Sequence, residues 1–208
     1  MERAGTTKLL IIDCARREFL NAGFHDASLR KIAADAKVTT GAIYRYFKDK
    51  DSLFVAVTQP AVEQLRMMFT ELSDSVVADV ATGRSYDTEQ SAQDMSALYD
   101  LIYEHFDEFY LLLMCADSGA AIDFLHEFAA LEERSTLDYI EALKKRYNSD
   151  FEIDKVALHF LIEAYVSALL EPVRHRMSRE DAIYHAQNLS LYFSVGWLGI
   201  ENILQGEH

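Results

Sequence analysis

The chain has 208 residues, of which 50% are hydrophobic, 12% aromatic and 26% charged, with a net charge of −14. This composition excludes a largely disordered chain and supplies enough apolar surface for one or two folded domains. Only two prolines and eight glycines occur, which disfavours a barrel or sandwich of many short strands and predicts a mostly helical protein.

The uninterrupted apolar runs in the sequence are all shorter than a membrane span. The longest uninterrupted apolar run is the eight residues from Phe109 to Ala116, whereas a spanning helix needs roughly 20. The N-terminal segment lacks the apolar core of a secretory signal, so we expect a cytoplasmic protein with no membrane partner. Cys14 and Cys115 stand in apolar helix faces, which predicts buried free thiols.

Charge is distributed unevenly along the chain. Residues 1–53 contain ten Lys/Arg and seven Asp/Glu, whereas residues 54–208 contain ten Lys/Arg and 27 Asp/Glu. A basic segment joined to an acidic one is typical of a protein in which one part touches a polyanion. We therefore divide the chain into a head, residues 1–53, and a body, residues 54–208.

The head has the periodicity of a helix-turn-helix unit. Apolar residues recur at helical spacing from Lys8 to Ala22, and Gly23 is a suitable terminator for that helix. Capping residues predict a second helix from Ser28 to Ala36, a third from Thr40 to Phe47 and a fourth after Asp49. Two short helices joined by a turn of three or four residues are the parts of this DNA-binding motif.

The third helix has polar and small residues that suit DNA. Thr39 and Thr40 offer hydroxyl groups to phosphate oxygens and base edges. Gly41 and Ala42 have small side chains, so the face of the helix that carries them can approach the floor of a DNA groove closely. The alternative interpretation is that Thr39 is only a helix cap and Tyr44 a core aromatic.

Two stretches of the head carry an ordered pattern, SLRKIA over residues 28–33 and VTTGAIYRYFKDKDSLF over residues 38–54. With this spacing the head resembles the DNA-binding domain of TetR-family transcriptional regulators. The resemblance implies base or groove contacts from four residues of the third helix and its cap: Thr39, Thr40, Gly41 and Ala42. It implies phosphate contacts from four further residues: Ser28, Tyr44, Tyr46 and Lys50.

Two residues depart from the family pattern. Lys37 stands where a glycine is usual at the turn, and a left-handed conformation there would cost a lysine about 1 kcal/mol. Thr40 stands where lysine is common, which removes a charge and affects the operator sequence rather than DNA binding itself.

Helical patterns continue through the body. The fourth helix is expected to run to about Leu72, with a kink or a restart at Pro60. Further helices are predicted at residues 92–115, 120–146, 154–176 and 179–205, after a loop at residues 82–91. The predicted fold is all-α, with an N-terminal three-helix DNA-binding domain and a C-terminal helical ligand-binding and dimerisation domain.

Aromatic residues are concentrated in the helices predicted at residues 92–115 and 120–146. The resemblance implies an effector cavity enclosed by these helices, and its expected lining residues are Tyr99, Tyr103, Glu104, Phe106, Tyr110, Phe124 and Phe128. Glu104 and Glu108 stand at i, i+4, where like charges repel, which favours a cationic ligand nearby. The alternative is that the aromatic residues are ordinary core.

The last two helices are apolar on two sides and therefore need two packing partners. The resemblance implies that one side forms a four-helix interface in a homodimer. Its expected residues are Ala164, Ala168, Phe193, Gly196, Trp197 and Ile200. The alternative is burial of both sides within one protomer.

The chain carries no P-loop, G-x-S-x-G, H-E-x-x-H or C-x-x-C signature and no E-x-x-H motif, so we expect neither an enzyme nor a metal or other cofactor. The predicted function is a ligand-responsive transcriptional repressor that a small-molecule effector releases from a palindromic double-stranded DNA operator. The alternative is a helical metal- or small-molecule-binding protein, or an enzyme, that does not bind DNA.

Overall fold

A computed structural model describes residues 2–84, 88–115 and 118–205, with C-terminal side chains described as far as residue 193. The described chain is helical without strands, which confirms the predicted all-α class. The helices are α1 (Glu2–Asp26), α2 (Leu29–Asp35), α3 (Thr40–Tyr44), α4 (Lys50–Thr82), α5 (Thr88–Glu104), α6 (Phe106–Met114), α7 (Gly119–Tyr147), α8 (Lys155–Arg174) and α9 (Arg179–Gln205).

Side-chain caps explain where several helices begin. The hydroxyl of Ser28 accepts a hydrogen bond from the Lys31 amide, and that of Thr39 accepts one from the Ala42 amide at 3.2 Å. Asp49 accepts from the Ser52 amide at 2.8 Å, and this bond holds the pKa of the Asp49 carboxyl below its ordinary value. These caps satisfy backbone donors that lack an intrahelical partner, and they confirm the predicted starts of α2, α3 and α4.

The first helix is longer than its apolar period predicts. It spans Glu2–Asp26 rather than residues 8–22, and Gly23 lies inside it with φ 73° and ψ 175°. Helical geometry therefore ends at Gly23, as predicted, and the chain forms a further helical segment to Asp26 after this kink. Glycine tolerates the positive φ at this kink because it has no Cβ atom.

The fourth helix continues through Pro60 to Thr82. The predicted restart at Pro60 is wrong, and so is the predicted end near Leu72. Proline removes one backbone donor without ending the helix here, and its side chain is exposed to solvent. The loop that follows is also shorter than predicted, since α5 begins at Thr88.

A break at His105 divides the helix predicted at residues 92–115. His105 has φ −111° and ψ 36°, so α5 ends at Glu104 and α6 begins at Phe106. Glu104 and Glu108 therefore lie on different helices, and the predicted i, i+4 repulsion between them is wrong. The Glu108 carboxylate instead accepts a hydrogen bond from the Arg16 guanidinium of α1 at 3.2 Å.

The chain forms two compact units by internal contacts. Unit 1 comprises Met1–Gln64 and His105–Leu125, and unit 2 comprises Leu65–Glu104 and His126–His208. This grouping describes packing alone. The boundary between a DNA-binding head and an effector-binding body at residues 53 and 54 stays a functional prediction.

The core of unit 1 holds the two short helices in place. Phe54 of α4 packs edge-on against Phe19 and Phe24 of α1, with ring centroids 5.1 and 5.3 Å apart. Ile32 of α2 and Ile43 of α3 are fully buried. Each short helix thus has an apolar anchor, because isolated helices of five to seven residues are not stable in water.

In unit 2, one hydrophobic cluster joins Tyr99 of α5, Leu169 of α8 and Ala182 and Ala186 of α9. A second cluster contains Val80 of α4 and Leu143 of α7. Among the described helices, α8 is long and apolar enough to span a bilayer by length and composition alone. Core helices of folded proteins share that length and composition, and seven residues of α8 are buried here, from Leu158 to Val173.

Candidate nucleic-acid interface

The turn between α2 and α3 has helix-turn-helix geometry. Ala36 follows the last residue of α2, and Lys37 adopts the left-handed conformation with φ 54°. The Val38 amide donates to the carbonyl of Ala33 at 2.9 Å. The chain then enters α3 at Thr40 after a turn of four residues, within the length typical of the motif.

A buried carboxylate fixes the start of α2 on α1. Glu18 is 4% exposed, and its two oxygens accept hydrogen bonds from the Ser28 amide at 3.2 Å and from the Lys31 ammonium. The bond to Glu18 raises the pKa of Lys31. Sequence reasoning missed this contact, although the signal was present: Glu18 interrupts an apolar face next to Phe19.

The surface of α3 is polar and accessible. The Tyr44 side chain is 55% exposed, whereas Ile43 and Phe47 are buried. The core-aromatic alternative therefore does not apply to Tyr44. Thr39 caps the helix and is also exposed, so its capping role leaves the residue accessible to a partner.

Gly41 lies exposed on α3, and the fold does not require a glycine there. A Cβ atom at this position would have Thr39 Oγ1 at 3.8 Å as its only close neighbour among the described residues, which is ordinary van der Waals contact. Neither a positive φ nor crowding within the chain explains the residue. A partner that approaches the backbone of α3 closely would explain it.

Lys50 is held by contacts within the chain. Its ammonium donates to the His25 carbonyl at 2.6 Å and lies 4.9 Å from the centroid of the Phe24 ring. The lysine thus joins the start of α4 to the last turn of α1, a role that sequence reasoning missed. An ammonium has three donors, so the hydrogen bond to His25 fixes its position and leaves two for a phosphate.

Basic side chains surround the motif. Residues 28–50 contain six Lys/Arg and two acidic residues. Four of these cations are exposed at the turn, on the helices or beside them: Arg30, Lys37, Arg45 and Lys48. Tyr46, the remaining predicted phosphate contact, is half-buried against Phe47. The surface that presents α3 therefore carries the positive charge that a phosphate backbone attracts.

The predicted effector residues divide between the two units. Unit 2 contains Tyr99, Tyr103, Glu104 and Phe128, and unit 1 contains Phe106, Tyr110 and Phe124. Within unit 1, the rings of Phe106 and Tyr110 stack at 6.0 Å, and Phe124 packs on Phe109. Effector contact by these seven residues stays a prediction.

Two of these tyrosines have structural hydrogen bonds. The fully buried Tyr99 hydroxyl donates to the Leu169 carbonyl, and the Tyr103 hydroxyl donates to the Met177 carbonyl at 2.9 Å. Burial raises the pKa of both hydroxyls. Both side chains tie α5 to the segment around α8, so at least part of their role is packing.

The predicted dimer residues lie on α8 and α9. Ala164 is exposed, Ala168 is half-buried, and the Phe193 ring packs on Tyr165 with centroids 4.4 Å apart. Gly196, Trp197 and Ile200 belong to α9, and their side chains lie outside the described residues. Beside Ala164, the same helix exposes 66% of Phe160 and 57% of Leu161.

Cys14 and Cys115 are both free and buried, as predicted. Among the residues that the structure describes, no group of three His, Cys, Asp or Glu side chains is placed to hold a metal ion.

Comparison with known proteins places the same region in a family. Residues 11–57 match the family described as bacterial regulatory proteins, tetR family. The chain is also similar to the uncharacterized HTH-type transcriptional regulator YuxN of Bacillus subtilis, with 27% identity over 163 residues. That alignment covers 78% of this chain and about half, 53%, of the relative.

Solved structures share the fold across nearly the whole chain. A TetR-family regulator from Syntrophomonas wolfei has a TM-score of 0.64 at 18% identity, covering 92% of this chain and 96% of that one. The regulator FadR of Bacillus subtilis, solved in complex with stearoyl-CoA, has a TM-score of 0.57 at 14% identity, covering 96% and 98%. At these identities the likeness establishes the fold.

Proposed function

The chain belongs to the TetR family of transcriptional regulators, and from this premise we propose that it is a homodimeric repressor that binds a palindromic operator through α3. The observation that carries the proposal is the accessible surface of α3. There an exposed Tyr44 and a glycine that the fold does not require stand beside exposed cations.

Each predicted DNA contact has a physical role. Thr39, Thr40, Gly41 and Ala42 would face the floor of the major groove, where a low surface and hydroxyl groups read base edges. Ser28, Tyr44, Tyr46 and Lys50 would hold phosphates, which fix the register of the protein on the duplex. The acidic body contributes no attraction to DNA, so the basic head would supply the salt-dependent part of the affinity.

A palindromic operator would be bound by two copies of the chain, each with its own recognition helix. Two recognition helices reach successive major grooves when they are one helical turn, roughly 34–36 Å, apart. The apolar residues exposed on α8 fit a face that packs on the same face of a partner, as closed two-fold dimers require. We expect this face, together with α9, to form the dimer interface.

A small-molecule effector would regulate the repressor. The stearoyl-CoA complex of FadR is evidence that this fold accommodates a ligand in another protein. If an effector binds more tightly to the protein that is free of DNA, linkage requires that DNA and effector weaken each other by the same factor. The protein would then act without a cofactor or a catalytic step.

The test is capture of DNA from the genome that encodes this chain. The purified dimer is incubated with sheared genomic fragments at low salt, and the bound fragments are sequenced. We expect enrichment of a short near-palindrome beside a few genes, abolished by substitution of Tyr44 and Lys50 together with alanine. Absence of enrichment from a folded dimer that carries no co-purified ligand by mass spectrometry would contradict the proposal.

A further inference from the structure

The first turn of α2 rests on a carboxylate of α1. Glu18 is 4% exposed, and its Oε1 accepts a hydrogen bond from the Ser28 amide at 3.2 Å. Its Oε2 accepts one from the Lys31 ammonium at 2.5 Å. Both oxygens of the carboxylate are therefore bonded to the part of α2 that carries Ser28, a proposed phosphate contact.

Lys31 is an exposed cation with a buried partner. Its side chain is 55% exposed, whereas that of Glu18 is 4% exposed. Water and salt screen an enclosed carboxylate less than an exposed one, so Glu18 attracts the ammonium more strongly than a surface carboxylate would. The hydrogen bond to Glu18 raises the pKa of Lys31, so the lysine stays protonated and paired at neutral pH.

Lys50 of the same motif is held in a different way. Its ammonium is bonded to the His25 carbonyl and lies over the Phe24 ring, and neither group carries a negative charge. A phosphate at Lys50 meets the full charge of the cation. A phosphate that approaches Lys31 competes with a carboxylate that is already bonded to it, so Lys31 belongs to the basic surface without acting as a free cation.

We propose that Glu18 determines how well the protein distinguishes its operator from other DNA, because it holds Ser28 in place and withholds Lys31 from the DNA backbone. Binding to arbitrary sequences comes from cations that meet phosphates, whereas operator binding also needs a fixed register on the duplex. A restrained Lys31 lowers the first contribution, and an anchored Ser28 supports the second. This inference rests on the proposed function, because it assigns a positioning residue to that DNA interface.

Glu18→Gln releases Lys31 with little change in shape. The amide keeps the size of the side chain and an oxygen that accepts from the Ser28 amide, but it has no charge to hold the ammonium. The lysine is then free to reach a phosphate. On a fluorescein-labelled duplex of random sequence, we expect binding about fivefold tighter than that of the wild type and a salt slope steeper by about one, measured over about 50 to 200 mM salt.

The gain is expected to be smaller on the operator. An operator complex fixes α2 in one register, whereas a complex with random sequence can shift until Lys31 meets a phosphate. The neutral amide also holds Ser28 less firmly than the carboxylate does. Fluorescence anisotropy on the captured operator duplex and on the random duplex measures the ratio of the two affinities, which we expect to fall about threefold or more.

Two further variants establish whether Lys31 carries the effect. In the Glu18→Gln, Lys31→Met double variant the freed ammonium is gone, so the salt slope is expected to return to the wild-type value. Asp35→Asn is the matched charge control, because Asp35 acts on the same ammonium through its charge alone. It removes a carboxylate without releasing Lys31, so its salt slope should equal that of the wild type. Circular dichroism and urea denaturation establish that each variant is folded.

The salt slope separates this role from a merely structural one. An unchanged slope in Glu18→Gln, or a steeper slope that the double variant keeps, would overturn the proposal. A parallel loss of affinity for both duplexes would also overturn it, since it would limit Glu18 to stabilising the fold.

Those results leave operator binding by the wild type intact, so they are distinguishable from failure of the proposed function. If the folded, ligand-free wild-type dimer prefers no sequence over the random duplex, the proposed function fails and this inference fails with it.

Discussion

At the scale of a single residue, Gly41 is needed for the proposed DNA contact but not for folding. A methyl group fits at this position in the free protein, and alanine favours helix over glycine by up to about 1 kcal/mol. The proposed contact with the groove floor would leave no room for that methyl group. Stability and affinity should therefore respond in opposite directions.

We expect Gly41→Ala to leave the free energy of unfolding unchanged or raised, and to weaken operator binding about tenfold, or ~1.4 kcal/mol. Urea denaturation and fluorescence anisotropy on one preparation measure the two quantities. Ala34→Gly is the control, since it lowers the stability of α2 at an exposed position outside the predicted DNA contacts. If Gly41→Ala binds the operator as tightly as the wild type, Gly41 does not lie in the DNA interface.

Lys50 combines a structural contact with a predicted phosphate contact. Lys50→Met keeps most of the apolar stem that lies over Phe24 and removes the ammonium bound to the His25 carbonyl. We expect a loss of about 1 kcal/mol of stability, weaker binding to all DNA sequences and a salt slope reduced by about one. A salt titration of affinity checks this, and an unchanged slope would limit Lys50 to its structural role.

The residues of the helix-turn-helix were predictable because their signals are local. Ser28 and Thr39 are caps within three residues of the amides they bind. Lys50 and Glu18 differ, since their partners lie 25 and 10 positions away. Those contacts depend on the packing of α1, which no local pattern specifies.

At the scale of the helix, α7 contains a charge that folding disfavours. The pKa of Glu132 is about 7 in the folded protein, against an ordinary glutamate value near 4.3 in the unfolded chain. The folded state therefore binds this proton more tightly. Its contribution to stability is fully present below pH ~4.3 and is lost as pH rises to about 7.

We expect Glu132→Gln to be more stable than the wild type at pH 8 by on the order of 2–3 kcal/mol, and close to it at pH 4.5. Urea denaturation at both pH values and a fixed protein concentration measures the difference. Glu133→Gln serves as the control, because its carboxylate is bonded to His159. A stability difference that does not change with pH would contradict the assigned environment of Glu132.

The break between α5 and α6 could not be predicted from the helical periodicity of the sequence. Apolar residues keep a helical step across His105, and neither glycine nor proline marks the site. The break separates two packing environments: Tyr99 and Tyr103 bond to backbone near α8, whereas Glu108 bonds to Arg16 of α1. Contacts distant in sequence decide where the helix ends, so the sequence predicts one helix.

At the scale of the whole molecule, the proposed dimer depends on the exposed face of α8. Phe160→Glu places a charge where 66% of an apolar side chain is exposed, and we expect a monomer at micromolar concentration with nearly unchanged helix content. Sedimentation velocity measures the mass. The control is Met67→Glu, which alters an α4 side chain that is 61% exposed. If Phe160→Glu forms a dimer as stable as that of the wild type, this face of α8 is not the dimer interface.

Selection from a random duplex DNA library tests operator recognition by the dimer most directly. The full-length protein is bound to the library at low salt, and the enriched sequences are read after several rounds. We predict a two-fold symmetric motif with half-site centres about one helical turn apart, and loss of enrichment for the Tyr44→Ala, Lys50→Ala double variant. A folded, ligand-free dimer that enriches no sequence, or a motif that the double variant enriches equally, would contradict DNA recognition through α3.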